Sequence, residues 1–225
     1  MSDNKIISNE NRSGQKILTP MFWITCLVCL LPIAIGFILY DKLPRDIPQQ
    51  YGFNGEINWT LPKPWGFIVC PLIFLACHIF ILIGTSIAMK SDTNKKVKIL
   101  LQWLLPVIGL PINIMMILVP AGIDIDVFIV CALVISVLFI VLGNYLPKIE
   151  RNHFVGMRAM WTTKNDVLWS KNQRFGGKVF VILGFIILLT IFLPAAKYIC
   201  IGCIVLSFLL PLIYSLAIYN KYKDE

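Results

Sequence analysis

Few side chains in this sequence have the chemistry for catalysis or metal binding, and their placement argues against both. Seven cysteines stand at 26, 29, 70, 77, 131, 200 and 203, and the two histidines are His78 and His153. Cys26-x-x-Cys29 and Cys200-x-x-Cys203 have the spacing of a zinc or dithiol motif, yet such sites need polar surroundings and further ligands. Both pairs lie inside apolar runs, where a cysteine behaves as a small hydrophobe. None lies in the polar loops that a secreted disulfide framework uses. His78 has no second ligand in view, so the expected role is a neutral imidazole hydrogen-bonded to a neighbouring helix or backbone carbonyl. No HExxH segment or Ser-His-Asp spacing is present. The expectation is a protein that is not an enzyme, with no cofactor and no metal site.

The runs that hold these residues set the architecture. Hydrophobic residues make up 58% of the chain and charged residues 14%, with a mean hydropathy of +0.79, which is more apolar surface than a water-soluble core hides. A helix climbs about 1.5 Å per residue, so about twenty apolar residues cross a hydrocarbon core of about 30 Å. Six segments qualify, approximately 21–40, 65–89, 99–120, 127–146, 179–196 and 198–219. The predicted fold is all-α, a polytopic transmembrane bundle of about six spans, with a polar cytoplasmic tail over 1–20 and a single membrane domain over 21–225. The first run follows a polar tail and is itself long enough to span, so it is expected to stay as an uncleaved anchor. The fifth and sixth spans are separated by little more than Lys197, which predicts a tight hairpin with Pro194 helping to end the fifth.

Within these spans as drawn there is no Asp, Glu, Lys or Arg. Ion-coupled transporters and proton pumps usually keep ionisable groups there. Prolines 32, 71, 106, 111 and 211 interrupt spans, and without a matching pair of broken segments in the two halves they predict simple kinks. Asn113, Asn144 and Gln102 lie at membrane depth or near its edge and are expected to hydrogen-bond between helices.

Orientation follows from the basic residues. The formal charge is +8, and the lysines and arginines gather at the ends of apolar runs, where anionic headgroups lie, so membrane lipids are the expected partner and direct nucleic-acid binding is not. Sixteen of the twenty fall on the side of the termini and only four on the other. Basic residues near span ends resist translocation, so both termini are expected in the cytoplasm, N-in and C-in, with loop 41–64 outside and loop 147–177 inside.

Those two loops carry pattern. In the outer one, Pro44 and Pro48 stiffen the start and Asn54-Gly55 is a strong turn signal for a short hairpin. It reads either as a rigid cap on the first two spans or as an outward docking surface. In the inner one, Thr163 with Asp166 has the form of a capping box, and Gly176-Gly177 is suited to end a short helix between them. Lys171, Arg174 and Lys178 would then meet lipid phosphates or an acidic partner, with Trp161 and Trp169 at the interface. An interfacial helix and a surface for a cytosolic protein both satisfy this pattern.

The inner loop also resembles the signature of the SdpI family, roughly G-N-x-L-P-x-x-x-x-N-x-x-G-x-R-T-P-W-T, then W, then H-R-x-G-G. The matching positions are Gly143, Asn144, Leu146, Pro147, Asn152, Gly156, Arg158, Trp161, Thr162, Trp169, Arg174, Gly176 and Gly177. The outer loop, with Leu43, Pro44, Ile47, Pro48, Asn54 and Gly55, resembles the small domain of unknown function that precedes it in that family. Ala159-Met160 replaces the usual Thr-Pro, and Gln50 and Gln173 stand where many relatives have histidine.

The resemblance implies a multi-pass protein of the bacterial cell membrane that gives immunity to a secreted, membrane-active peptide toxin. It also implies signal transduction, in which toxin engagement outside lets the protein hold a cytosolic winged-helix autorepressor at the membrane. On that reading, Pro44, Ile47, Pro48, Asn54 and Gly55 form the outer surface. Asn144, Asn152, Gly156, Arg158, Trp161, Thr162, Trp169 and Arg174 shape the inner one. The alternative is a transporter of small solutes or peptides, which the kinked spans permit and the uncharged interior disfavours.

Overall fold

A computed structural model describes residues 19–52, 54–88, 95–152 and 155–222. Most of the N-terminal tail and His153 fall outside them. Six helices dominate: α1 (Pro20–Ile38), α2 (Trp65–Ala88), α3 (Lys95–Leu118), α4 (Val127–Tyr145), α5 (Asp166–Thr190) and α6 (Ala196–Tyr222). Each is long and apolar enough to cross a membrane, so the chain is a multi-pass membrane protein. Between α1 and α2 lies a two-stranded antiparallel sheet, β1 (Asp46–Tyr51) and β2 (Ile57–Pro62).

Local chemistry starts the helices where propensity and caps coincide. Thr19 Oγ1 accepts from the amide of Phe22 at 3.3 Å and Pro20 follows at the first helical position, where its missing N–H costs nothing. Asp126 caps α4 by accepting from the amides of Phe128 and Ile129. The five prolines all lie inside continuous helices and divide none of them.

Helices α1, α2 and α3 pack against one another, α5 packs on α4 and α6, and α3 meets α4 to join the two groups. The largest core cluster belongs to the second group and includes Phe139, Trp169, Phe180, Leu183, Ile187 and Cys203. Small residues make the α4–α5 seam close. Ser136 and Gly143 on α4 face Gly184 and Gly177 on α5, two pairs each seven residues apart. The Ser136 hydroxyl donates to the Gly184 carbonyl at 2.9 Å. A Cβ built on Gly177 would lie 2.6 Å from the Gly143 carbonyl oxygen. Small residues at a helix crossing let backbones approach and share hydrogen bonds, which is how membrane helices associate without a hydrophobic drive.

Several expectations are corrected here. The helix starting near Thr163 is not a separate interfacial element ending at Gly176-Gly177: α5 runs without a break from Asp166 to Thr190. Both glycines are buried against other parts of the chain, so they serve close packing and not helix termination. The fifth helix therefore begins at Asp166 and not at Val179, which brings Lys171, Arg174 and Lys178 into its first half. It ends at Thr190, and α6 begins at Ala196, so residues 191–195 form the connection that was placed at Lys197. Its N-cap is Asn165, whose Oδ1 accepts from Val167 and Leu168 amides at 2.8 and 3.0 Å, instead of a Thr163–Asp166 box. Replacing Asn165 by alanine is expected to lower stability by about 1 kcal/mol, visible as a lower unfolding midpoint in detergent.

The asparagines also differ from expectation. Asn113 donates to the Gly109 carbonyl at 2.7 Å and Asn144 to the Ile140 carbonyl at 2.8 Å. Both bonds run back one turn within their own helix, because a short amide reaches the carbonyl four residues earlier more readily than a neighbouring helix. Hydrogen bonding between helices comes instead from Ser136 and from His78.

Candidate functional site: the two loops and the cavity beneath the inner one

The inner loop leaves α4 through a 3-10 turn, Leu146–Lys148, and returns along the face of α5. Asn152 holds its first bend. Its amide donates to the carbonyls of Glu150 and Val155 at 2.8 and 3.0 Å, and its Oδ1 accepts from the Val155 amide at 2.6 Å. Gly156 follows with φ +119, a conformation that L side chains rarely adopt, and a Cβ there would lie 2.8 Å from the Trp169 ring. Trp169 is 2% exposed, and its indole N–H donates to the Ile149 carbonyl at 2.9 Å. Gln173 closes the loop onto α5: its amide group donates to the Met157 carbonyl at 2.9 Å and its Oε1 accepts from the Met157 amide at 3.1 Å. A neutral side chain thus satisfies both backbone groups of Met157, a role the sequence reading did not give it.

The rest of the loop is tied down in the same way. Thr162, fully buried, donates to the Ala159 carbonyl and accepts from the Ala159 amide, both at 3.0 Å. Trp161 reaches α6, where its indole N–H donates to the Ser215 hydroxyl at 3.2 Å and its ring packs on Tyr219. Phe175 stacks on Tyr214 with ring centroids 4.1 Å apart. Asn152, Gly156, Trp161, Thr162 and Trp169 therefore build the loop from within. Asn144, Arg158 and Arg174 are exposed. Arg151 pairs with Asp166 at 2.7 Å, and both line a polar groove with Lys148, Glu150 and Ser170.

At the other end of the molecule, β1 and β2 pair Ile47 with Leu61 and Tyr51 with Ile57. Gly55, with φ +85, supplies the left-handed turn residue. Ile47 and Pro48 face inward, Ile47 without exposure, onto Leu43, Phe67 and Ile117. Pro44, Asn54 and Gly55 are exposed. So are Ile57, Trp59 and Trp65, three large apolar side chains at 53–57% exposure. Two polar side chains anchor the hairpin on the helices. Gln49, at a register break, donates to the Gly66 carbonyl at 2.8 Å. Lys63 donates to the carbonyls of Tyr40 and Leu43 at 3.2 and 2.9 Å, in and just after the 3-10 turn that follows α1. Burial pushes the Tyr51 phenol up from its usual value.

Inside the bundle His78 is fully buried and lies 2.9 Å, through Nε2, from the Thr25 hydroxyl. That hydroxyl also lies within hydrogen-bond distance of the carbonyls of Met21 and Phe22, and its contact with the imidazole ties α2 to α1. Among the described residues no three His, Cys, Asp or Glu side chains gather as a metal site would need. The seven cysteines are free thiols.

Beneath the inner loop a cavity of about 520 Å³ opens between Leu101 and Leu104 of α3, Leu146 at the end of α4, and Phe208 and Leu212 of α6. The loop segment from Val155 to Ala159 roofs it. Spacing along single helices carries no signal for this cavity, because its walls come from elements far apart in the chain.

These two loops coincide with what the chain shares with known proteins. Residues 148–215 match the SdpI/YfhL protein family, and residues 27–75 match a domain of unknown function, DUF1648. A relative over nearly the full length is "Immunity protein SdpI" of Bacillus subtilis (strain 168), 29% identical over 201 residues, covering 89% of this chain and 95% of the relative. No solved structure matches the chain. The likeness to the SdpI/YfhL family thus covers the inner loop with α5 and most of α6, and the likeness to DUF1648 covers the outer hairpin with most of α1 and the first half of α2.

Proposed function

We propose that this chain is an SdpI-like immunity protein that protects its cell from a secreted, membrane-active peptide toxin. The observation that carries the reading is the near full-length likeness to the Bacillus subtilis immunity protein. The excess of basic residues on the inner loop and C-terminal end supports an N-in, C-in orientation, with the hairpin outside. There the apolar face of Ile57, Trp59 and Trp65 suits an apolar peptide, since exposed apolar clusters mark interaction sites. Pro44, Asn54 and Gly55 frame it, while Ile47 and Pro48 hold it to the bundle.

On the inner side, Asn144, Arg158 and Arg174 are the exposed polar members of the motif and supply the contacts of a signalling surface for a cytosolic repressor. The buried members keep that surface in shape. Immunity and signalling are then separable. In toxin-sensitive cells producing equal amounts of protein, Trp59→Ala with Ile57→Ser lowers survival under toxin, whereas Arg158→Ala with Arg174→Ala preserves survival and abolishes repressor recruitment. An antibody tag inserted at Gly55 is reached in intact cells. Unchanged survival in the Trp59 and Ile57 variant, or a tag reached only after lysis, would sink the outer assignment. Delivery of labelled toxin across vesicles by the purified protein would favour transport instead.

A further inference from the structure

The cavity beneath the inner loop combines three features that together define a ligand class. Its walls are apolar, from Leu101, Leu104, Leu146 and Leu212 among others, and its volume of about 520 Å³ lies in the range of small-molecule sites, about 300–1,000 Å³. Asn172 of α5 lines it while only 3% exposed. Its amide donates to the Met157 carbonyl at 3.4 Å, but its Oδ1 has no hydrogen-bond partner. A buried acceptor without a donor is costly and rare in native interiors. The other buried polar side chain in the wall, Ser215, is satisfied, donating to the Leu212 carbonyl at 2.8 Å and accepting from Trp161. Arg158 stands at the rim, exposed and without an ion pair among the described residues.

The cavity also reaches the surface of the bundle. Phe208, 65% exposed on the outer face of α6, is one of its wall residues. Leu101 lies near the start of α3 and Leu146 just past the end of α4, so the cavity is level with helix ends, where headgroups meet acyl chains. An occupant must therefore be apolar over most of its length, carry a hydrogen-bond donor for Asn172 and bear an anion for Arg158.

We propose that this cavity is a binding site for one anionic glycerophospholipid with a hydroxylated headgroup, of the phosphatidylglycerol class. An acyl chain fills the apolar part, the phosphate pairs with Arg158, and the Asn172 amide, whose Oδ1 is buried and unpartnered, turns toward the cavity to accept from a headgroup hydroxyl. Phosphatidylcholine has the same chains and phosphate but no hydroxyl donor, so it leaves Asn172 Oδ1 unpaired, and its quaternary ammonium offsets the phosphate charge that Arg158 would meet. The proposal stands independently of the immunity reading, since it concerns lipid retention by the purified protein.

The test is native mass spectrometry of the full chain, delipidated in mild detergent and offered dioleoyl phosphatidylglycerol or dioleoyl phosphatidylcholine. One phosphatidylglycerol is expected to be retained, bound about tenfold more tightly than phosphatidylcholine, as a charge-assisted contact allows. Asn172→Leu and Arg158→Ala are each expected to remove most of that preference while phosphatidylcholine retention stays the same. Equal retention of the two lipids by the natural protein, or an undiminished preference in Arg158→Ala, would overturn the site. If Asn172→Leu does not fold, Arg158→Ala decides alone, because its side chain is exposed. Displacement by millimolar glycerol 1-phosphate, or a polypeptide found in place of lipid, would also overturn it.

Discussion

Replacing Trp169 by alanine is expected to lower the stability of the protein by about 3–5 kcal/mol, the cost of deleting a large buried aromatic side chain. The reason is its position between three elements. The ring is 2% exposed within the main core cluster, Gly156 packs against it, and its N–H satisfies the Ile149 carbonyl. Removal opens a cavity and strands an acceptor inside the loop. Trp169→Phe separates the two effects. It keeps most of the apolar body and loses the hydrogen bond, so a smaller loss of about 1–3 kcal/mol is expected. Unfolding midpoints in detergent, with far-ultraviolet circular dichroism as the readout, should rank natural protein above phenylalanine above alanine. Equal midpoints for alanine and the natural protein would show that the loop does not rest on this side chain.

Gly177→Val is expected to be of similar severity, at about 3 kcal/mol or more, by overpacking. A Cβ at this position meets the Gly143 carbonyl oxygen at 2.6 Å and the Pro147 ring at 3.0 Å. The first neighbour is backbone, so relief requires α4 and α5 to separate and not merely a side chain to turn. The neighbouring seam contact from Ser136 to the Gly184 carbonyl would be strained by the same movement. Gly202→Val on α6 is the control, since no atom lies within 4 Å of a Cβ there. Its unfolding midpoint should stay near that of the natural protein, while Gly177→Val should melt well below it or fail to accumulate. Matching behaviour of the two variants would exclude close approach as the reason for glycine at 177.

Both variants act on the inner loop from opposite sides, one through its filling and the other through its floor. The loop is thus held by buried amides, indoles and glycines, with few long side chains left free. That economy leaves Arg158 and Arg174 as exposed charges on a surface whose shape does not depend on them, which is why their substitution tests recognition and not folding.

How much of this was legible differs by feature. Six spans follow from hydrophobic length alone, because a bilayer demands about twenty apolar residues per crossing regardless of neighbours. The outer hairpin follows from Asn54-Gly55, since few residue pairs accept the turn's positive φ. The motif residues of the inner loop were identifiable, but their roles were not. Trp161 and Trp169 look like interfacial aromatics in one dimension, and in three they donate to Ser215 and Ile149. Gly176-Gly177 looks like a helix stop because glycine costs helix stability, yet the bundle overrides that propensity by packing α4 against it.

The sequence by itself determined that this protein lives in a membrane, how many times it can cross, and which two connections carry its specific residues, all properties of local composition and spacing. Only the tertiary structure decided which of those residues face outward and which are buried. It alone placed Ser136 against Gly184 and His78 against Thr25, and left Asn172 in the wall of a cavity with a free acceptor. Such contacts join residues tens of positions apart, and their partners are selected by helix crossing and close approach, which no single stretch of chain encodes.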